Sequence, residues 1–471
     1  MRKRNSAKDA GTVVRQVLAL LLAMVFLGLP VYGADEAEAT YIVKYKASSV
    51  RQPDDGMPFD LVSRAEMERL RDADELEWYE ENGTASLIDP EPLLRRGGSL
   101  TGSSKQWSLD MIGAETAFQM NCLGQGVRVG VIDSGVYPHP DLAANLAAGK
   151  NFISGAPDAT DTTDLYGHGT KVAGLIAASG EEGCIGVAPG ATIVPLKVTD
   201  EKTGISIYDI CMAIKSGVDD YGCRVLNLSM GTTTDYASLR EAVAYAVERG
   251  VVVVSAAGNE GGTSFMYPAS YDHVISVGAV DSEGVLFSGS VSNSRVFLTA
   301  PGVEVRSTSN RGGYVTDTGT SFSAPQAAGA AAVLLGADGS LTREDIMVLF
   351  AETAVDKGDA GRDDRYGFGI LNVRGCMTAL AARAAGSDPC VFCPFAGPAS
   401  CIYNNTDAPL DCVYLLAEYE EDGRLSEIKL QDLTLPAHGV AEIKVPAGAH
   451  YSQFVCQPGS LVPLIAARKA P

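Results

Sequence analysis

The sequence predicts an α/β protein built on a doubly wound, mostly parallel sheet, with a small α+β unit before it and a small all-β, sandwich-like domain after it. Between residues 106 and 386, short apolar and β-branched runs alternate with helical stretches, which is typical of parallel strands joined by helical crossovers. Residues 35–105 instead combine short strands with one charged helix. From residue 387 to 471 the pattern changes to alternating segments separated by turn residues.

Residues 1–34 have the composition of a secretory signal peptide. An uncharged apolar stretch at 17–29 follows a basic region, and small residues at 31–34 suit cleavage. An uncleaved anchor is the alternative. No later run is long enough to span a membrane, so we predict a secreted protein without a stable membrane span after signal cleavage.

The segment 35–105 is predicted to be a small α+β unit that ends in a basic, Gly/Ser-rich linker. Its strands are expected at 41–45, 76–79 and 85–88, and its helix at 63–73. Such a unit suits a removable segment, and a permanent N-terminal domain is the alternative.

The parallel sheet between 106 and 386 is predicted from apolar runs that suit strands buried on both faces. These runs are 127–132, 191–198, 225–228 and 251–255, with helical stretches at 170–178, 207–218 and 236–248. Ligands of such sheets bind at the carboxyl ends of the strands, which directs attention to the residues that follow each run.

The C-terminal segment 387–471 is predicted to be a β-sandwich-like module, with strands at 414–419, 424–430, 440–445 and 453–456. Five of the ten cysteines lie from Cys390 onward, and local disulfides are plausible in an exported chain. Zinc at Cys390 and Cys393 is the weaker alternative, because no second C-x-x-C follows.

The composition and charge of the chain limit which kinds of molecule it can bind. The chain is 46% hydrophobic and 20% charged, and its formal net charge is −21. This charge argues against a nucleic-acid surface.

Two candidate functional residues lie in the first half of the parallel sheet. Asp133 ends the run 127–132, where a carboxylate needs a partner, although Asp-Ser-Gly is also a common turn. His168 has a glycine on either side, at the start of a small-residue helical stretch. A capping or core histidine is the alternative.

Two more candidates lie further along the chain. Asn259 follows the run 251–255 in a glycine loop, and its amide can donate to a developing negative charge; a turn asparagine is the alternative. Ser321 opens a small apolar helix, where free N–H groups and the helix dipole favour an anion. An N-cap serine is the alternative there. Pro325 is expected early enough in that helix to need no N–H partner.

Together the four residues fit acyl transfer. An acid orients an imidazole, the imidazole takes a serine proton, and an amide with a backbone N–H stabilises the oxyanion. The order Asp, His, Ser is that of subtilisin. Residues 107–384 resemble a subtilisin-family serine endopeptidase, in the motifs at 131–135, 168–174, 228–231, 257–259, 319–325 and 366–369.

The resemblance implies a role for each matching residue. Asp133 would orient His168, the general base and acid; Ser321 would be the nucleophile, and Asn259 would donate to the oxyanion. Substrate would be bound by Leu228, Ser229, Met230, Gly231, Ala256, Ala257, Gly258 and Met266. The segment 35–105 would be an inhibitory pro-peptide that is later removed. The resemblance also implies a monomer that acts on proteins or peptides, with chemistry that requires no cofactor.

Some positions depart from the family pattern. Phe322 replaces a usual methionine, and Gln326 a usual histidine; both lie off the proton-transfer path. The loop 179–184 is short and carries a cysteine, which argues against the calcium site that many relatives have there. Asp141 nevertheless matches one calcium ligand.

Two questions of function stay open in the sequence. Met266 at the pocket floor would favour small-to-medium apolar side chains before the cleaved bond, whereas Glu260 at the rim could attract a basic one. The same acyl-enzyme could also serve a transpeptidase or cyclase. A surface-binding protein whose protease domain only processes itself is a further alternative.

Overall fold

The computed structural model describes residues 39–49, 57–89, 106–392, 401–420, 424–443, 450–459, 463–464 and 468–469. The chain divides into two compact units, Met1–Asn82 and Gly83–Pro471. The predicted signal 1–34, the linker from residue 90 to 105, and Cys393 lie outside the described residues.

The first unit is a three-stranded antiparallel sheet with one helix. The strands β1 (Thr40–Tyr45), β2 (Phe59–Ser63) and β3 (Leu76–Glu81) lie in the order β2-β1-β3. Helix α1 (Arg64–Asp72) begins after Ser63, whose hydroxyl accepts from Glu66 N, as an N-cap does. Its buried residues Met67 and Leu70 pack with the strands.

The second unit contains the remaining elements. Up to residue 317 its strands are β4 (Thr84–Leu87), β5 (Arg128–Asp133), β6 (Lys150–Asn151), β7 (Thr192–Lys197), β8 (Thr203–Ser206), β9 (Val225–Leu228), β10 (Met230–Gly231), β11 (Val252–Ala256), β12 (Ile275–Val280), β13 (Leu298–Pro301), β14 (Val305–Thr308) and β15 (Tyr314–Asp317). Its helices are α2 (Trp107–Ile112), α3 (Glu115–Gln119), α4 (Pro140–Ala143), α5 (His168–Ala177), α6 (Ile207–Asp219), α7 (Ala237–Glu248), α8 (Thr320–Ala337), α9 (Arg343–Thr353) and α10 (Val373–Ala385).

Seven of these strands form the central sheet, in the order β13-β12-β11-β9-β5-β7-β6, and every pairing is parallel. The predicted α/β class is therefore confirmed. After β7 the chain crosses to the other side of β5 to form β9. This change of direction places the carboxyl ends of β5 and β9 side by side, which is where ligands of doubly wound sheets bind.

The small-residue helix α8 is buried along its length from Thr320 to Leu335. Its small side chains allow close packing: a Cβ added at Gly329 would lie 2.8 Å from Val187 Cβ. The prediction for Pro325 was wrong in one respect. It is the sixth helical residue, beyond the first turn, so it removes a hydrogen bond that the helix would otherwise make.

The C-terminal strands form two small antiparallel sheets, as the all-β prediction requires. Their orders are β16-β17-β20 and β19-β18-β21-β22. The strands are β16 (Cys390–Phe392), β17 (Cys401–Asn404), β18 (Leu410–Tyr419), β19 (Leu425–Leu435), β20 (Val440–Glu442), β21 (His450–Cys456) and β22 (Arg468–Lys469). The nine described cysteines are all buried, and none of them forms a disulfide with another. Among the described residues, no helix combines the length and apolarity needed to cross a membrane.

Candidate active site

Asp133 and His168 meet at the carboxyl end of β5. His168 Nδ1 lies 2.9 Å from Asp133 Oδ1 and 3.0 Å from Oδ2, and neither residue has exposed surface. A carboxylate that accepts from Nδ1–H holds the imidazole as the tautomer whose Nε2 can take a proton. Ser134 N also donates to Asp133 Oδ1 at 2.7 Å, which fixes the carboxylate.

Asp164 joins the loops that carry this pair, and the sequence analysis missed it. Its Oδ1 accepts from Ser134 Oγ at 2.8 Å and from Gly167 N at 2.6 Å. Its Oδ2 accepts from Thr170 N at 2.8 Å and from Thr170 Oγ1 at 2.6 Å. The first N–H groups of a helix lack partners within it, so an acidic residue a few positions before α5 was the available signal for Asp164.

Burial and charge act in opposite directions on His168. Burial lowers its pKa because the imidazolium loses hydration, but the charge and hydrogen bond of Asp133 raise the pKa, and the net shift is upward. Asp89 raises this pKa as well, and Lys171 lowers it. Burial raises the pKa of Asp164, although its four hydrogen bonds oppose the shift.

The amide of Asn259 is oriented by Thr320. Thr320 N and Oγ1 donate to Asn259 Oδ1 at 2.9 and 3.0 Å, so Nδ2 is directed elsewhere and donates to Ile88 O at 3.1 Å. A Cβ at Gly319 would lie 2.7 Å from Asn259 Nδ2 and 3.3 Å from Ser321 Oγ. Gly319 has a φ of 149°, which also favours glycine. The amide and the serine hydroxyl therefore border the same small space.

Within the described part of the chain, His168 Nε2 and Ser321 Oγ are both buried without a hydrogen-bond partner. Ser321 is the second residue of α8, where helical N–H groups lack partners within the helix. Buried polar atoms without partners are rare in folded proteins. An imidazole nitrogen and a hydroxyl are also the pair between which acyl transfer moves a proton.

A segment of the chain itself occupies the space beside these residues. β4 lies between β8 and β10 and pairs antiparallel with both. Leu87 N donates to Lys202 O at 2.7 Å, and Ile88 N donates to Ser229 O at 3.0 Å. The strand predicted at 85–88 thus exists as β4, but it pairs in this sheet and not with the strands of the first unit. Its pairing on both sides is like that of an extended peptide ligand that adds a strand to a sheet.

The side chains of Ile88 and Met266 both lie beside Gly231. A Cβ at that glycine would be 3.3 Å from Ile88 Cδ1 and 3.3 Å from Met266 Cε. A Cβ at Gly258 would be 2.9 Å from Met266 Cγ. Met266 is only 6% exposed. Glu260 at the rim accepts from the backbone N–H of Asn259 at 3.1 Å.

The other residues predicted to bind substrate lie around the same segment. Leu228 ends β9, Ser229 follows it, and Met230 with Gly231 forms β10, which pairs with β4. Ala256 ends β11, and Ala257 and Gly258 continue from it. Gly258 N donates to Thr320 Oγ1 at 3.2 Å.

Phe322 and Gln326 pack behind the candidate serine. The Phe322 ring lies 5.8 Å from the His168 ring and 5.3 Å from Lys171 Nζ. Gln326 Nε2 donates to Phe322 O at 2.8 Å. Both side chains therefore support the site from within the core.

The Asp141 carboxylate is occupied by protein donors. Its Oδ1 accepts from Glu182 N at 2.8 Å and from Ser179 Oγ at 3.4 Å, and its Oδ2 from Cys184 N at 3.0 Å and from Tyr314 OH at 2.7 Å. The described residues hold no group of three or more His, Cys, Asp or Glu arranged for a metal ion. These contacts do not fit Asp141 as a calcium ligand.

Comparison with known proteins gives a consistent result. Residues 124–369 match the model of the Subtilase family. The chain is 32% identical over 382 residues to the alkaline protease of Alkalihalobacillus alcalophilus, which covers 78% of this chain and 98% of that protein. It is 37% identical over 270 residues to subtilisin Savinase of Lederbergia lenta (57% of this chain, 97% of that protein). It is 33% identical over 312 residues to the minor extracellular protease Epr of Bacillus subtilis (65% of this chain, 47% of that protein).

Proposed function

The chain belongs to the subtilase family and is a subtilisin-like serine endopeptidase, and from this premise we propose that Asp133, His168 and Ser321 carry its chemistry. The observation that supports this most directly is the contact of Asn259 Nδ2 with Ile88 O at 3.1 Å. It indicates which carbonyl is bound for attack, and that carbonyl lies in the chain itself.

The proposed reaction uses Ser321 Oγ and His168 Nε2, two buried atoms that have no hydrogen-bond partner among the described residues. Ser321 Oγ attacks the carbonyl carbon of Ile88 while His168 Nε2 takes the hydroxyl proton, and Asp133 stabilises the imidazolium. The negative charge that forms on Ile88 O is held by Asn259 Nδ2. His168 then returns the proton to the departing amide nitrogen, and water releases the acyl group by the reverse sequence.

The first substrate is the protein's own chain. Because the carbonyl of Ile88 is the one at Asn259, the bond to be cleaved is Ile88–Asp89. Until that cleavage, β4 and Ile88 fill the substrate cleft. The part of the chain that ends at Ile88 therefore serves as the inhibitory pro-peptide.

The preferred residue before the cleaved bond is small to medium and apolar. Ile88 fits this description, and its side chain lies beside Gly231, as that of Met266 does.

The place of action is outside the cell. One relative is named as an extracellular protease, and residues 1–34 have the composition of a cleavable signal. The comparisons do not favour a transpeptidase or a surface-binding protein that only processes itself.

Purified wild type and Ser321→Ala separate these functions. In wild type, intact mass spectrometry should show a product that begins at Asp89, together with casein hydrolysis, and Ser321→Ala should remain whole and inactive. A wild type that keeps its N-terminal segment and cleaves nothing would overturn the endopeptidase proposal. Ligation of an added peptide amine would identify a transpeptidase.

A further inference from the structure

The residue after the proposed cleavage point is also buried and hydrogen-bonded. Asp89 is 5% exposed, and its Oδ2 accepts from Tyr166 OH at 2.7 Å. Asp89 carries the amide nitrogen that leaves when the bond after Ile88 is broken. Tyr166 therefore contacts the leaving-group side of the substrate.

This contact suits a carboxylate better than other side chains. A carboxylate loses hydration on burial and needs a hydrogen bond in exchange. A hydroxyl that donates to a charged oxygen makes a shorter and stronger bond than one that donates to a neutral oxygen. An alanine or a lysine at this position would give the Tyr166 hydroxyl no acceptor.

The hydroxyl is also positioned in advance. Tyr166 lies in the loop between Asp164 and His168, where Asp164 Oδ1 accepts from Gly167 N. From the other side, Asn310 Nδ2 donates to Asp164 O at 3.1 Å. A braced loop loses little conformational entropy when it binds a ligand.

The charge of Asp89 acts on the reacting imidazole as well. Asp133 and Asp89 both raise the pKa of His168, and Lys171 lowers it. The imidazolium forms when the proton of Ser321 is transferred, so a negative charge on the leaving-group side stabilises it at that moment.

We propose that Tyr166 makes this peptidase selective for an acidic residue directly after the cleaved bond, so that its substrates contain a medium apolar residue followed by aspartate or glutamate. This inference rests on the proposed function. It adds Tyr166 as a specificity residue for the side chain after the cleaved bond, whereas Met266 concerns the side chain before that bond.

The test measures kcat/KM on internally quenched peptides built on the sequence of residues 85–90, with Asp, Asn, Ala or Lys in the place of Asp89. Wild type should cleave the Asp peptide about tenfold to a hundredfold faster than the Ala peptide, the size expected for a hydrogen bond to a charged group, and the Asn peptide, whose amide oxygen is a neutral acceptor, at a rate between the two. Tyr166→Phe should bring this ratio close to one, because phenylalanine keeps the ring and lacks the hydroxyl donor.

Tyr245→Phe is the matched control, because Tyr245 OH also donates to a carboxylate, that of Asp219, on an exposed helix surface. It should keep the wild-type ratio. Equal cleavage of all four peptides, or a ratio that survives in Tyr166→Phe, overturns the selectivity and leaves the endopeptidase standing. If wild type cleaves none of the peptides and does not process itself, the proposed function falls together with this inference.

Discussion

Ser229 Oγ donates to the main-chain oxygen of Ser321 at 3.1 Å. In a regular helix that oxygen would accept from the N–H of residue 325, but residue 325 is proline and has none. Asn227 Nδ2 in turn donates to Ser229 Oγ at 3.0 Å. Because residue 325 is proline, the Ser321 carbonyl can accept from the Ser229 hydroxyl instead, and this bond joins the residue that follows β9 to helix α8.

Replacing Ser229 by alanine should therefore destabilise the protein. The oxygen of residue 321 is buried, and leaving it without a donor costs about 1–3 kcal/mol. Urea unfolding of the full chain in a Ser321→Ala background avoids self-digestion and measures this loss. Adding Pro325→Ala restores an N–H and should recover part of it. Equal stability with and without the Ser229 hydroxyl would show that the bond contributes nothing.

The sequence predicted the parts of the site that depend on local chemistry. Asp133, His168, Asn259 and Ser321 each lie beside glycines at the end of a strand or start of a helix, and such positions can be found from spacing alone. The central strands could be predicted for a similar reason, because a strand buried on both faces must be apolar throughout.

Contacts between distant parts of the chain could not be predicted in this way. The alternation of residues 85–88 indicates a strand but not its partners, and β4 pairs with β8 and β10, more than a hundred residues away. Tyr314, which bonds to Asp141, is 173 residues away from it. The bond from Ser229 to the main-chain oxygen of Ser321 was not predicted, because Pro325 was expected early enough in the helix to need no N–H partner.

Thr320 should act as a positioning residue for Asn259. Its N–H and hydroxyl both donate to Asn259 Oδ1, so Thr320→Val removes one of the two bonds that orient the amide. We expect kcat to fall with little change in KM, by less than the roughly 10²–10³-fold loss known for removal of the oxyanion asparagine in subtilisin. Thr320→Ser keeps the hydroxyl and should restore kcat. A similar loss in Thr320→Ser would point to packing of the methyl group instead.

The pH dependence of kcat should report a raised pKa for His168, because the shift belongs to a site that already holds a peptide segment. The imidazole accepts a proton only when neutral, so activity rises as pH increases through its pKa. Asp133 raises that pKa, which moves the midpoint above the ordinary histidine value of about 6.5. Lys171 lowers it, so Lys171→Met should move the midpoint to still higher pH. A midpoint that moves to lower pH in this variant would contradict the electrostatic assignment.

Stability should not depend on calcium at the Asp141 loop. The four protein donors to Asp141 hold the loop 179–184, so a chelator should leave the unfolding midpoint of the full-length Ser321→Ala chain unchanged. Tyr314→Phe removes one bond to a charged group, which should cost about 1.5–3 kcal/mol of unfolding free energy. Tyr245→Phe, which removes an exposed Tyr–Asp bond, should cost less. A midpoint that falls with chelator and recovers with added calcium would show that a metal, rather than these donors, secures the loop.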